Sequence, residues 1–180
     1  MQHFILLFTL LLLPYQALTA QTTITQVSWP EGFTPAQSKF YVRNEIEINA
    51  PPEKVWNLLI DVMNWESWYK GAEQVSLRNP GDSVLKAGSV FEWKTMGLNF
   101  VSTIREFSPN RVLAWESKKR SIQGYHAWLI IPTATGCRVI TEETQNGWLT
   151  FFEKTFQGNK LKRLHDVWLG ELKKKAESAN

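Results

Sequence analysis

Residues 124–145 of the chain have the sequence GYHAWLIIPTATGCRVITEETQ. Two largely apolar runs flank the loop from Thr133 to Gly136, and runs separated by a short loop containing glycine are typical of a β-hairpin. In such a hairpin Pro132 faces Cys137 across the four-residue loop. The register of the other residue pairs follows by counting back from this loop.

That register places two ionisable side chains beside each other. His126 faces Glu143, and Trp128 faces Thr141 on the same side of the sheet. Glu142 belongs to the opposite, solvent side, because successive side chains of a strand point to opposite faces. We therefore predict that His126 and Glu143 are cross-strand neighbours on the apolar face.

A carboxylate beside an imidazole in apolar surroundings has two interpretations. The pair can bind a polar group of a ligand or act as general acid and base, because burial and mutual attraction shift both pKa values. It can also be a satisfied buried pair that only fixes the register of the hairpin. The sequence leaves both interpretations open.

The chain before and within the sheet predicts an α+β fold. Lys39–Asn49 alternates apolar and charged residues, which indicates a strand with one wet face. Pro51 and Pro52 open a short helix, and a second short helical turn carries Trp65 and Trp68. Turn residues separate six further predicted strands. These are Gln74–Leu77, Ser89–Met96, Asn99–Phe107, Arg111–Lys118, Gln123–Ile131 and Cys137–Gln145.

Leu149–Glu177 is predicted to be a long final helix with a kink or break near Gly158. Its apolar residues recur at three- and four-residue steps and form one stripe. A sheet with a dry face requires cover, and this stripe can provide it. The predicted architecture is a helix-grip fold: a curved antiparallel sheet wrapped around a long C-terminal helix, with two short helices after the first strand.

Strand alternation also assigns side chains to the inner face of this sheet. If residues 97–98 form a two-residue loop, Thr95 faces Phe100 and Trp93 faces Ser102. The same register gives the further pairs Phe91 with Ile104, Ile104 with Trp115, and Phe107 with Val112. The inner face then carries Phe91, Trp93, Thr95, Phe100, Ser102, Ile104, Leu113 and Trp115. The outer face carries Glu92, Lys94, Thr103, Arg105, Glu116 and Lys118.

The first twenty residues have the pattern of an export signal. They contain no Asp, Glu, Lys or Arg, and the apolar run Phe4–Leu13 is shorter than the ~20 residues that span a bilayer. Pro14 follows the run, and a small residue, Ala20, precedes Gln21. We predict cleavage near Ala20 and an exported protein, periplasmic or secreted, with a retained membrane anchor as the alternative. Residues 21–38 are interpreted as an N-terminal arm and 39–178 as the folded domain.

Composition excludes several kinds of function. The net charge of +3 is too small for a dedicated nucleic-acid binder, and one cysteine allows no internal disulfide. No metal site or cofactor is predicted, because His-x-x-x-His and Cys-x-x-Cys spacings are absent. Lysines of the last helix, including Lys173–Lys175, form either a solvated face or a surface for transient contact with a membrane.

Five segments together resemble the SRPBCC superfamily, which includes START-like, polyketide cyclase/dehydrase-like and birch-pollen-allergen-like domains. They are INAPPEKVWNLLIDVMNWESW, GSVFEW, STIREFSPNRVLAWESK, YHAWLIIPTATGCRVITEETQNGW and WLGELKKKAES, within residues 40–178. The resemblance implies a helix-grip domain with a deep cavity between the sheet and the C-terminal helix. In this superfamily the cavity usually holds a lipid, a polyketide or another apolar small molecule.

The predicted function is an exported protein that binds an apolar small molecule, lipid or polyketide-like, in this cavity. The alternatives are a cyclase/dehydrase-like enzyme with Glu143 and His126 as acid and base, and a structural domain with a filled core. Trp65 and Trp68 either form a rim or pack the helix, and His165 either faces the cavity or belongs to the core. The predicted binding residues are Trp65, Trp68, Phe91, Trp93, Phe100, Ser102, Trp115, His126, Trp128, Thr141, Glu143, His165 and Trp168.

Overall fold

The alternating segment Phe40–Ile48 forms strand β1, at one edge of a seven-stranded antiparallel sheet. A computed structural model describes residues 26–150 and 159–178 of the chain. The strand order is β1-β7-β6-β5-β4-β3-β2, so β2 forms the other edge. The further strands are β2 (Glu73–Leu77), β3 (Val90–Thr95), β4 (Leu98–Ser108), β5 (Val112–Lys118), β6 (Gln123–Pro132) and β7 (Cys137–Asn146).

Helices before and after the main run of strands accompany the sheet within the described residues. Helix α1 spans Pro52–Ile60, a 3₁₀ helix spans Val62–Ser67, and helix α2 spans Lys160–Glu177. Helix α2 turns its stripe toward the sheet, where its buried residues are Leu161, His165, Trp168, Leu169, Leu172 and Ala176. The predicted α+β helix-grip fold is confirmed, with two short helices after the first strand and a long helix at the end.

The final helix differs in part from the prediction of one element over residues 149–177. Leu149 and Thr150 are helical, whereas Asn159 forms a turn and α2 begins at Lys160. The predicted break at Gly158 lies outside the described residues, as does the predicted export signal at residues 1–20. Among the residues that the structure describes, no helix is both long enough and apolar enough to cross a bilayer.

The β3–β4 turn corrects the predicted register. Met96 and Gly97 form the two-residue loop, with φ of 53° and 77°. Trp93 therefore pairs with Phe100, and the predicted pairs of Trp93 with Ser102, Phe91 with Ile104 and Thr95 with Phe100 are wrong by two residues. Because the side-chain period of a strand is two, this shift leaves each side chain on its predicted face. The residues predicted to lie inside are buried, apart from the half-buried Thr95.

A bulge at Arg105 changes the register between β4 and β5. The predicted pair of Ile104 with Trp115 is present, but Phe107 pairs with Leu113 rather than with Val112. One extra residue on β4 causes this difference, and such a bulge bends the strand and increases its twist. The bend belongs to the curvature with which the sheet surrounds α2.

Aromatic rings fill much of the space between the sheet and the helices. Trp65 is fully buried at the centre of this cluster, with ring centroids 5.3–5.8 Å from those of Phe91, Trp93, Trp115 and Trp168. Its indole N–H donates a hydrogen bond to the carbonyl of Leu59 at 3.2 Å. The 3₁₀ helix is thereby fixed to the core.

The described part of the arm covers the outer face of the sheet. Val27 is buried against Ala114 and Tyr125, and the ring of Trp29 lies 5.5 Å from that of Tyr125. The backbone N–H of Ser28 donates to a carboxylate oxygen of Glu106. These contacts exist because strands β5 and β6 present apolar side chains on their outer side as well.

Candidate functional site

His126 and Glu143 are cross-strand neighbours on strands β6 and β7, as the hairpin register predicts. The Nδ1 atom of His126 lies 3.0 Å from Oε2 of Glu143. His126 is buried, and only 14% of the Glu143 side chain is exposed. Both side chains point to the inner face, because the four-residue loop fixes the register and strand alternation fixes the direction.

Helix α2 adds a second imidazole to the pair. Nε2 of His165 lies 3.2 Å from the same Oε2 atom of Glu143, and the two imidazole centroids are 5.0 Å apart. His165 is buried and borders the cavity described below, so it belongs both to the core and to the site. We refer to His126, Glu143 and His165 as the buried triad.

Two further polar side chains fix the orientation of the triad. The amide nitrogen of Gln145 donates to Oε1 of Glu143 at 2.7 Å. The hydroxyl of Thr141 lies 2.9 Å from Nε2 of His126. Both lie on β7, two residues to either side of Glu143, so strand alternation brings them to the same face. Each carboxylate oxygen and both ring nitrogens of His126 therefore have a partner.

Burial and hydrogen bonding act in opposite directions on the triad. Burial raises the pKa of Glu143, but hydrogen bonds with His126 and His165 outweigh it and hold this pKa far below its ordinary range. Burial lowers the pKa of His126 below its ordinary value, against the opposing effect of Glu143. A neutral imidazole can still donate an N–H to a carboxylate. The site at neutral pH is thus an ionised carboxylate beside a neutral His126.

Trp115 forms the floor under His126. Its ring stacks on the imidazole with centroids 4.5 Å apart and an angle of 7° between the planes. Trp128 lies 5.5 Å from the same imidazole, in contact with Trp168 of α2. Aromatic packing on this scale fixes the ring of His126 and excludes water from one side of it.

A cavity lies between the inner face of the sheet and α2, and all three residues of the triad line it. Its volume is about 560 Å³ including the open mouth, of which about 50 Å³ admits the centres of water molecules. The lining residues are Tyr69, Trp93, Thr95, Met96, Phe100, Trp115, Ser117, Ile122, Gly124, His126, Glu143, Gln145, Leu161, Leu164, His165 and Trp168. Most of the lining residues are apolar or aromatic, and the polar ones are the triad, Gln145, Thr95 and Ser117.

Residues 39–177 match a family described as polyketide cyclase / dehydrase and lipid transport. The chain belongs to this family. The match covers the sheet, α1 and α2, and it agrees with the SRPBCC resemblance of the sequence. No curated protein matches the chain.

Solved structures share the fold of this cyclase/dehydrase family member. A hypothetical protein of Helicobacter pylori is 25% identical with a TM-score of 0.79, and the alignment covers 88% of this chain and 100% of that one. The Zhui aromatase/cyclase from a Streptomyces species is 16% identical, with a TM-score of 0.62 and coverage of 77% and 93%. The di-domain ARO/CYC BexL is 18% identical, with a TM-score of 0.62; the alignment covers 78% of this chain and only 51% of BexL.

The predicted binding residues of this family member divide into two groups. The cavity is lined by Trp93, Phe100, Trp115, His126, Glu143, His165 and Trp168. The others lie behind the lining or beside it, and they are Trp65, Trp68, Phe91, Ser102, Trp128 and Thr141. Trp65 packs the core, while the half-buried Trp68 lies against Tyr69. The Ser102 hydroxyl accepts the indole N–H of Trp93 and contacts Ser117.

Several lining residues were not predicted from the sequence. Tyr69 stacks on Trp168 with centroids 4.2 Å apart and an angle of 3°, beside the cavity. The sequence carries no signal for this stack, because it depends on how the chain leaves the 3₁₀ helix. Gln145 was open to prediction, since it is two residues beyond Glu143 on the same strand. Helix periodicity placed Leu161 and Leu164 on the apolar stripe of His165, but neither was predicted to be a binding residue.

Proposed function

We propose that the protein binds an apolar small molecule, lipid or polyketide-like, in the cavity between the sheet and α2. The observation that carries this proposal is the buried triad in the lining of an aromatic-walled cavity. Binding sites for small molecules are typically apolar with a small number of placed polar groups that orient the ligand. The family description, which includes lipid transport, agrees with this function.

The chemistry of the triad selects the polar end of the guest. Glu143 is an ionised acceptor, and Gln145 already donates to its other oxygen. A guest with a hydroxyl or enol group can donate a hydrogen bond to Glu143, whereas a carboxylate guest would be repelled. The aromatic walls contribute apolar burial at about 25 cal/mol per Å². The proposed guest is therefore an apolar molecule with a hydrogen-bond donor at one end.

The cavity must widen to admit such a guest. The cavity volume that is free for a guest is about 50 Å³, which is well below the roughly 300–1,000 Å³ of ligand pockets. Met96 and Leu164 are the lining residues that combine partial exposure with flexible aliphatic side chains. We propose that they move aside on binding, since methionine adapts readily to irregular spaces.

A substitution that fills part of the cavity with a larger side chain tests this proposal. Leu164→Trp puts a bulky side chain into the cavity lining, and Val167→Trp places the same residue on α2 at a position that is 49% exposed. Binding of an apolar fluorescent probe should weaken about tenfold or more in the first variant, a loss of about 1.4 kcal/mol. It should stay unchanged in the second. Equal binding by both variants would refute the cavity as the binding site.

A second candidate function is proton transfer to or from a polyketide-like guest. It is favoured by the position of Glu143, whose Oε2 lies within 3.2 Å of an imidazole nitrogen of both histidines. General acid–base catalysis contributes roughly 10²–10⁴-fold to a rate. Glu143→Gln should then abolish turnover of a poly-β-ketone model substrate while the apolar probe still binds. Turnover at the wild-type rate would remove Glu143 from any mechanism.

We also propose that the protein acts outside the cytoplasm, after cleavage near Ala20. Support comes from the uncharged, apolar start of the sequence. Fractionation of the native host and N-terminal sequencing would test it, and a mature protein that begins at Met1 would contradict it. Transient membrane contact through Lys174 and Lys175 belongs to the same proposal. Co-sedimentation with anionic vesicles should exceed that with neutral vesicles.

A further inference from the structure

We propose that the buried triad is a binding site for one divalent transition-metal ion, with zinc as the best fit. Two imidazoles and one carboxylate are a ligand set that zinc uses in open sites, where a fourth position is left for water or substrate. The three residues come from strand β6, strand β7 and helix α2, so their spacing along the chain gives no local metal motif.

The distances within the triad suit a single ion. Oε2 of Glu143 lies 3.0 Å from Nδ1 of His126 and 3.2 Å from Nε2 of His165, and the three donor atoms lie within 4.8 Å of one another. Zinc bonds of about 2.0–2.1 Å in a tetrahedron place neighbouring ligand atoms about 3.3 Å apart. The two distances to Oε2 need to change by only a few tenths of an ångström, whereas the two imidazole nitrogens, which lie up to 4.8 Å apart, must approach each other by side-chain rotation to about 3.3 Å.

The charge of the triad also favours a cation. Within residues 26–150 and 159–178, Oε2 of Glu143 lies 3.0 Å and 3.2 Å from nitrogens of His126 and His165, and the carboxylate forms no ion pair with a lysine or arginine. An ionised carboxylate that is removed from water carries a large cost unless a positive charge compensates it. A divalent ion supplies that charge, while both imidazoles bind through neutral nitrogens.

The surroundings already contain an outer shell for one of the ligands. Metal-binding histidines usually donate the N–H of the other ring nitrogen to an acceptor, which sets the tautomer. The Thr141 hydroxyl is placed to accept from Nε2 of His126 at 2.9 Å, leaving Nδ1 free to bind the ion. Without metal, the proton must lie on Nδ1 to donate to Glu143. Metal binding therefore requires a change of tautomer in His126.

The triad lines the cavity, so a further ligand can reach the ion from the cavity side. That ligand would be water or an oxygen of the guest. This last step rests on the proposed function, whereas binding of the ion does not.

Titration of the full chain with ZnCl₂ tests the inference. Protein freed of metal by EDTA should bind one equivalent of Zn²⁺ with a Kd below about 10 μM by calorimetry. Co²⁺ in its place should give the visible absorption bands of a four-coordinate ion. Imidazole ¹⁵N shifts should show the His126 proton on Nδ1 before the addition of zinc and on Nε2 afterwards. Absence of stoichiometric binding, or an unchanged tautomer, would overturn the proposal.

The zinc affinities of substituted proteins test whether the ion binds at the triad. Affinity should be lost in Glu143→Gln and His165→Ala, and should fall about 10–100-fold in Thr141→Val, which removes the outer-shell partner. Glu142→Gln is the matched control, because this neighbour of Glu143 points to the outer face and contacts Tyr41. Equal affinity in all four variants would place the ion elsewhere. If a triad variant does not fold, the tautomer measurement on the wild type still decides the question.

The two proposals can fail separately. Binding of the apolar probe is measured in EDTA, so it reports on the cavity without metal. Zinc titration without the probe reports on the triad alone.

Discussion

Removal of the indole of Trp168 tests how the aromatic cluster divides between core and cavity. Trp168 is buried, stacks on Tyr69 and lines the cavity. Trp65 is fully buried behind it and does not line the cavity. Trp168→Ala and Trp65→Ala therefore delete the same group at two buried positions, of which only the first lines the cavity. We expect different effects on stability and on ligand binding.

The magnitudes follow from the contacts of the two rings. Truncation of a buried tryptophan to alanine costs roughly 3–5 kcal/mol. The indole N–H of Trp65 loses a hydrogen bond to Leu59, whereas that of Trp168 has no hydrogen-bond partner among the described residues. Removing an unsatisfied buried donor recovers on the order of 1–2 kcal/mol. We expect a loss of about 4–5 kcal/mol for Trp65→Ala and of about 1–4 kcal/mol for Trp168→Ala.

Urea unfolding gives both free energies, and titration with the apolar probe gives the binding. Space vacated by Trp168 joins the cavity, so Trp168→Ala should bind the probe at least about tenfold more tightly than the wild type. The Trp65 variant should show no such gain. Equal stability losses together with unchanged probe affinity in both variants would refute this division of the cluster.

Two further predictions concern stability and pH. Gly136→Ala should destabilise by about 1–3 kcal/mol in urea unfolding, because a Cβ would lie 2.2 Å from the carbonyl oxygen of Ile48. Gly170→Ala on α2 has open space and should stabilise by about 0.5–1 kcal/mol; destabilisation there would contradict the account. Burial raises the pKa of Cys137 from 9.0 to about 11. Between pH 9 and 11 the thiol ionises in the unfolded chain but stays neutral in the folded protein, which favours unfolding. The free energy of unfolding should therefore fall more steeply over this range in the wild type than in Cys137→Ala.

The hairpin of β6 and β7 could be predicted from the sequence because its loop is unambiguous. Thr133–Gly136 closes with the N–H of Thr133 donating to the carbonyl of Gly136, and every pair counted back from it is present. Strand alternation then determines that His126 and Glu143 meet on the inner face. The first two members of the triad follow from local rules alone.

Other parts of the sheet depend on geometry that residue types do not reveal. The β3–β4 loop begins at Met96, a residue other than glycine with positive φ, and the sequence favoured a loop that begins at Gly97. The bulge at Arg105 has no glycine or proline to mark it. Both features change which residues pair between neighbouring strands. The shift at the β3–β4 loop is two residues, so each side chain of β3 and β4 still points to its predicted face of the sheet.

The third member of the triad depends on how α2 lies on the sheet. Periodicity places His165 on the apolar stripe, but the rotation and axial position of the helix decide whether its Nε2 reaches Glu143. The same holds for the stack of Trp168 on Tyr69. Packing between distant segments determines these contacts, so a single sequence leaves them open.

Native mass spectrometry of the full protein purified from its own host measures whether the cavity holds a small molecule. The wild type should carry an apolar small molecule at a ratio of one to one, and Leu164→Trp should lose it while Val167→Trp keeps it. A wild-type protein that is repeatedly recovered without a bound molecule, or equal occupancy in the two variants, would contradict binding in the cavity beside the buried triad.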